Sequence, residues 1–251
     1  MDRQSDTYGK SQHIERFYRK VTAPDLQKYR ICIGESDLLV QSVANLKAKL
    51  TKQLKHYRRQ LKEYIEAHPA FATSLTPVPT DSQAPALVQW MIAAAATAGV
   101  GPMAAVAGAI AGMLGKGVET DAGDLIIENG GDIYLRSSRE RIIAVYAGAS
   151  VFSNRIGIKI PPCRKGVGIC TSAGTVGPSL SFGKADASVI VAPDVALADA
   201  VATAIGNLVR TPRDFNRALE FARNIPGITG VLIVKDNRIA AWGQMELMPL
   251  I

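Results

Sequence analysis

The sequence predicts an α+β protein, with mostly antiparallel sheet layers and buried alanine-rich helices. Two observations carry this. Apolar or alternating runs at residues 124–128, 131–136, 141–147, 155–160, 167–170, 187–191, 230–235 and 238–242 read as strands punctuated by glycine, serine and proline. Helical stripes fall between groups of these strands rather than after each one, which argues against a parallel βαβ sheet. The chain has 251 residues, 47% hydrophobic but only 6% aromatic, so its core must rest on alanine, valine, isoleucine and leucine. At this length no disulfide or metal staple is needed to bury a core.

The elements follow in order. Residues 13–21, 29–33 and 37–41 read as short strands, with turns at Ala23-Pro24-Asp25 and Gly34-Glu35-Ser36. A helix is predicted over 42–67, because Val43, Leu46, Leu50, Leu54, Tyr57, Leu61 and Ile65 recur every three or four positions, and it stops before Pro69. Residues 68–85 hold four prolines and read as a loop. From 82 to 115 there is no charged residue, a stretch long enough to raise the question of a membrane span. Gly99 to Pro102 cut it into two twelve-residue pieces, 87–98 and 103–114, which read instead as two buried helices. Gly108 and Gly112 are spaced so that one helix face is bare and a neighbour approaches closely. Late helices are predicted over 195–208 and about 213–223, with Asp194 as the N-cap of the first. The whole of 1–251 is read as a single domain: strands plus a basic helix over 1–80, the buried helix pair over 84–118, and strands and late helices over 120–245.

Charge is localised. The net charge is +7, and residues 1–68 hold 14 basic against 8 acidic side chains, so almost all of the surplus lies in the first quarter. Much of it is the stripe Lys47, Lys49, Lys52, Lys55, Arg58, Arg59 and Lys62 on the polar face of the predicted helix. Such a run is usually a solvated face, and no nucleic-acid-binding signature accompanies it. Three cysteines, Cys32, Cys163 and Cys170, match no zinc or redox spacing; with a polar N-terminus they point to a reducing cytoplasm.

Three constellations carry chemistry. Asn129-Gly130-Gly131-Asp132 between two apolar strands is a hairpin signal, and its paired glycines also let a ligand approach bare backbone. Cys170-Thr171-Ser172-Ala173-Gly174-Thr175-Val176-Gly177-Pro178-Ser179 follows a predicted strand and reads either as an anion-binding nest or as a plain surface loop. Its cysteine is either a reactive thiol or a buried inert one. On the helix 195–208, Asp199 and Thr203 lie one turn apart on one face, and alanine surrounds them. A buried carboxylate with a hydroxyl one turn on suits a hard cation such as Mg²⁺; the alternative is an exposed aspartate.

Taken together, Gly-Gly-Asp-Ile at 130–133, Thr-Ser-Ala-Gly at 171–174 and Ala-Asp-Ala-Val-Ala-Thr-Ala at 198–204 resemble the ApbE-like superfamily. The segments 101–111, 128–133, 170–177 and 179–186 resemble, more closely, an ApbE-related branch associated in methanogens with anaerobic homocysteine synthesis. The resemblance implies an ApbE-like fold, with Asp199 and Thr203 as metal ligands and Gly130 and Gly131 on the flavin side. It implies an anionic substrate held by Asn129, Gly130, Gly131, Asp132, Thr171, Ser172, Gly174, Thr175 and Asp186. The expected function is assistance to sulfur assimilation, with Cys170 as the reactive thiol. The alternatives are a divergent Mg²⁺-dependent FAD:protein FMN transferase and a non-catalytic binding or assembly module docking through the basic helix. Mg²⁺ and FAD or another anionic nucleotide are the implied cofactors. A small anionic ligand and a protein partner in a sulfur relay are the implied partners, without nucleic acid or membrane.

Overall fold

The computed structural model describes residues 23–174 and 183–250. The strand expected at 13–21 and the candidate Thr175 lie outside the described residues. Eleven strands and seven α-helices are seen among them. The first part comprises β1 (Gln27–Ile33), β2 (Ser36–Ser42), α1 (Lys47–Ala67), α2 (Pro69–Thr73), α3 (Ala86–Ala98), α4 (Val106–Lys116) and α5 (Glu119–Ala122). There follow β3 (Leu125–Asn129), β4 (Asp132–Ser137), β5 (Arg141–Ala144), β6 (Ile156–Ile160), β7 (Cys163–Ser172) and β8 (Ala187–Ala192). The chain ends with α6 (Val195–Leu208), α7 (Phe215–Arg223), β9 (Gly230–Lys235), β10 (Arg238–Gly243) and β11 (Glu246–Pro249).

The fold is α+β with antiparallel sheets, as the sequence predicts. Eight strands pair in the order β1-β2-β3-β4-β7-β8-β9-β10, and three more in the order β11-β6-β5. The strands of the large sheet alternate between two cores. Leu125, Ile127, Cys170, Ile190 and Ile233 point to the helices α1, α3, α4 and α6. Ile126, Ile133, Ile169, Val189, Val191 and Leu232 point the other way, to Ile143, Ile158 and Ile160 of the small sheet. With both faces covered, strands such as β8 are buried throughout and mostly apolar, because neither side meets water.

The alanine-rich helices pack as close as their composition allows. A methyl on Gly112 would fall 2.6 Å from the Trp90 ring, and one on Gly108 2.7 Å from the Val195 carbonyl oxygen, so α4 needs glycine where it crosses α6. Asp194 caps α6, accepting from the Leu197 amide at 2.9 Å and from Trp90 Nε1 at 3.0 Å. Among the described residues no single helix is long and apolar enough to cross a membrane; α3 and the segment Pro102–Lys116 are bent by 105° at the glycine break.

Some boundaries differ from expectation, each for a local reason. α1 begins at Lys47, not 42, because β2 runs on through Ser42 and the Tyr29 hydroxyl then accepts from the Leu46 amide. The expected loop 68–85 contains α2, started by Pro69 at a first helical position where no N–H is needed. A short 3₁₀ turn, Pro102–Ala105, precedes α4, and another, Pro212–Asp214, precedes α7. β7 extends to Ser172, so Thr171 and Ser172 are strand residues rather than loop residues. β11, four residues with little apolar pattern, is visible only through its pairing with β6.

Candidate functional site

Four segments converge on the helix side of the large sheet. The β3–β4 hairpin turns at Gly130 and Gly131, with φ of +72° and +108°, so both positions favour glycine. Asn129 just before it donates from Nδ2 to the Ala107 carbonyl at 3.1 Å, tying the hairpin to the first turn of α4. Asp132, which follows it, points to the helix side of the sheet. From α6 comes Asp199, and from β7 come Cys170 and Thr171.

Asp132 and Asp199 lie close enough for each carboxyl to influence the ionisation of the other. Both are buried, at 7% and 8% exposure. Asp199 Oδ2 accepts from the Gly108 amide at 2.7 Å, with Ala107 contributing, so its carboxylate completes the N-terminus of a helix from another part of the chain. Asp132 Oδ1 accepts from the Thr171 amide at 3.3 Å. No lysine or arginine forms an ion pair with either carboxylate among the described residues. Burial and then the charge of Asp199 raise Asp132 well above the usual carboxylate range. Burial pushes Asp199 up to about 7, partly offset by the amides of Gly108 and Ala107. As it stands, the pair retains a proton that carboxylates in water would release.

The structure places the other expected site residues variously. Thr203 is half-buried one turn beyond Asp199. Thr171 and Ser172 are half-buried at the end of β7, and a methyl on Gly131 would lie 3.6 Å from the Thr171 carbonyl oxygen, so hairpin and strand end are neighbours. The Gly174 amide donates to the Ala185 carbonyl at 2.9 Å instead of facing an anion. Its glycine is required because a methyl would fall 2.3 Å from the Gly183 carbonyl oxygen. Asp186 is drawn away from the pair. Its carboxylate accepts from the Asp236 amide at 2.5 Å and lies 3.7 Å from Lys235 Nζ, holding the β9–β10 turn where Asp236 adopts φ +55°.

Cys170 is fully buried, and its thiol is raised well above the usual range, first by burial and then by Asp132 and Asp199. Its Sγ donates to the Val195 carbonyl at 3.5 Å. These are the surroundings of a protonated thiol, not of a thiolate. Two features escaped the sequence: the facing of Asp132 with Asp199, and the part Gly108 plays in it. The Gly108/Gly112 spacing signalled close approach but not its partner.

Two buried carboxylates, with a hydroxyl one turn beyond Asp199 and a glycine hairpin alongside, gather oxygen donors of the kind a hard cation takes. No group of three or more His, Cys, Asp or Glu placed for a metal is present among the described residues, so further ligands would have to be hydroxyl, backbone or substrate oxygens. Such a fold and site define an ApbE-like protein, and comparison with known proteins bears on this directly. The family model described as AbpE bacteria matches residues 19–240, and the chain belongs to that family. It is similar to the UPF0280 protein of Methanocaldococcus jannaschii, 40% identical over 224 residues that cover 87% of this chain and 91% of that one. The UPF0280 protein of Methanococcus aeolicus is 43% identical over 196 residues, covering 76% and 79%. Among solved structures, the flavin transferase ApbE from Vibrio cholerae superposes with a TM-score of 0.54 at 12% identity, covering 86% of this chain and 97% of that one. The apo flavinyl transferase ApbE of Pseudomonas stutzeri gives 0.51, also at 12% identity, over 86% and 94%. These likenesses show the fold.

Proposed function

We propose that the chain binds a flavin dinucleotide together with a divalent cation at Asp199, Thr203 and the Gly130–Gly131 hairpin, and acts as a flavin transferase of the ApbE kind. The observation that carries this reading is the buried Asp199 carboxylate, held near a glycine hairpin with no lysine or arginine paired to it among the described residues. A buried unpaired carboxylate costs several kcal/mol (roughly, by analogy with other buried ions), a cost that an Mg²⁺ ion would offset. Mg²⁺ and FAD fit the donor set: oxygen ligands for the ion, and exposed hairpin backbone for an anionic ligand. When bound, the ion would supply Lewis-acid polarisation of the pyrophosphate. The chain's own residues do the rest. Gly108 and Ala107 fix one oxygen of Asp199, Asn129 locks the hairpin to α4, and the sheet beneath excludes water. The fold shared with flavin transferases supports the reading.

The sulfur-relay reading, with a protein partner and homocysteine synthesis downstream, requires a thiolate that a donor can reach. The burial of Cys170 supports it less well. The test is a titration of the whole chain with FAD, followed by flavin fluorescence, with Mg²⁺ and then with EDTA. Saturable quenching that EDTA abolishes is expected; no fluorescence change under either condition would overturn the proposal.

A further inference from the structure

We infer that the outer face of α1 is a docking surface for an acidic segment of a protein partner. Lys52, Lys55, Arg59 and Lys62 are all exposed, and their spacing of three, four and three residues sets them in one row, on the side of the helix away from the buried Leu50, Leu54 and Leu61. Their neighbours Lys49 and Arg58 are engaged, Lys49 with Asp121 and Arg58 with Glu35. Within the row Arg59 lies 3.8 Å from Glu63, whereas Lys52, Lys55 and Lys62 form no ion pair among the described residues. A solvated helix face interleaves both signs of charge. Here the acids of the helix, Glu63 and Glu66, stand only at its end, and the row before them is left without counter-charge. This surface does not depend on a flavin at Asp199.

The row has a direction. α1 starts beside α5, where Lys49 meets Asp121, and runs to the β1–β2 turn, where Arg58 Nη1 donates to Ser36 Oγ at 2.8 Å. Because Leu38 of β2 pairs with Asn129 of β3, that turn and the Gly130–Gly131 turn lie at the same end of the sheet. A partner seated on the row therefore reaches the end that carries the glycine hairpin. The occupant follows from the length and the limits of the row. From Lys52 to Lys62 the helix rises roughly 15 Å, over which a partner helix with carboxylates at three- and four-residue intervals would meet each cation in turn. A nucleic-acid strand, charged along its whole length, would run on into Glu63 and Glu66, and Tyr57 and Tyr64, which could stack on bases, are packed against the core instead. A membrane surface would need apolar side chains beside the lysines, and on α1 these are turned inward.

The test is fluorescence anisotropy of the full chain with a labelled helical peptide of about fifteen residues carrying glutamate at the same spacing, and with a single-stranded oligothymidylate of equal charge. The peptide should bind saturably, more tightly than the oligonucleotide, and more weakly as salt rises. Lys52→Glu/Lys55→Glu/Lys62→Glu should weaken peptide binding at least about tenfold. Lys28→Glu/Arg164→Glu/Lys165→Glu, which gives the same net charge through exposed positions elsewhere, should change it by less than about twofold. If thermal melting shows that charge reversal unfolds the chain, Lys52→Gln/Lys55→Gln/Lys62→Gln takes its place, with the same loss expected. No saturable binding, equal losses in the two triple variants, or tighter binding of the oligonucleotide would each overturn the inference.

Discussion

The amide of Gly108 donates to the Asp199 carboxylate at 2.7 Å, across ninety-one positions of sequence. A methyl at position 108 would fall 2.7 Å from the Asp199 Cβ, so this bond exists only because α4 begins its third residue without a side chain. Gly108→Ala should therefore push the two helices apart, costing about 1–3 kcal/mol of stability as overpacked cores do. Denaturant unfolding measures this, and a variant as stable as the wild type would show that the crossing relaxes freely. Flavin and Mg²⁺ binding should weaken as well, because the oxygen that the amide holds would swing.

The carboxyl pair sets a pH dependence of an unusual sign. Asp199 and Asp132 are raised above their unfolded values, so the protein binds more protons folded than unfolded. The contribution of Asp199 is full below the unfolded value near 3.8 and is lost as pH rises through about 7, and that of Asp132 has the same sign. In EDTA, the stability difference between wild type and Asp199→Asn should shift against the wild type between these limits. A difference that does not change with pH would show that the pair is already ionised or solvated.

At the far end of the small sheet the opposite holds. Arg141 is buried, pairs both oxygens of Asp25 at 2.6 and 2.9 Å and reaches Asp124 at 2.9 Å. The Arg141 guanidinium holds Asp25 down at about 2. That contribution is present above the unfolded value of 3.8 and fades as pH falls through about 2. Arg141→Ala takes the guanidinium from Asp25 and leaves Asp124 only the Ser137 hydroxyl and the Ser138 amide, and should cost about 3 kcal/mol at neutral pH, as breaking a largely buried pair does. Chemical denaturation of the variant provides the check.

Thiol chemistry should follow burial rather than position in a motif. Cys32 is exposed, Cys163 half-buried and Cys170 fully buried. A thiol-disulfide reagent added to the folded chain should label Cys32 rapidly and Cys170 only on unfolding. Rapid labelling of Cys170, read by peptide mass, would revive the sulfur-relay reading.

Most strands and helices were legible because their cause is local: β8 is apolar but for Ser188, and α6 combines an acidic cap with a helical stripe. Asp194 as a cap needed only its neighbours. The site was legible in part. Alanine on every side of Asp199 indicated burial, since a solvated face would carry polar residues. What it faces was not legible, because Asp132 and Gly108 reach it through tertiary packing, which leaves no periodicity. Gly174 misled for the same reason. Its glycine satisfies the close passage of Gly183, a constraint from a distant residue that looks, in sequence, like a flexible loop. Asp186 likewise serves a turn fifty positions away.

The candidate site joins a hairpin, the start of one helix, the middle of another and the end of a strand, with Ala107 and Thr203 as its outermost members in sequence. No fragment that stops before α6 contains it. A chain emerging from the ribosome would therefore complete most of its layers while still unable to hold its ligand, and would acquire that capacity in a single late step, when α6 docks onto α4.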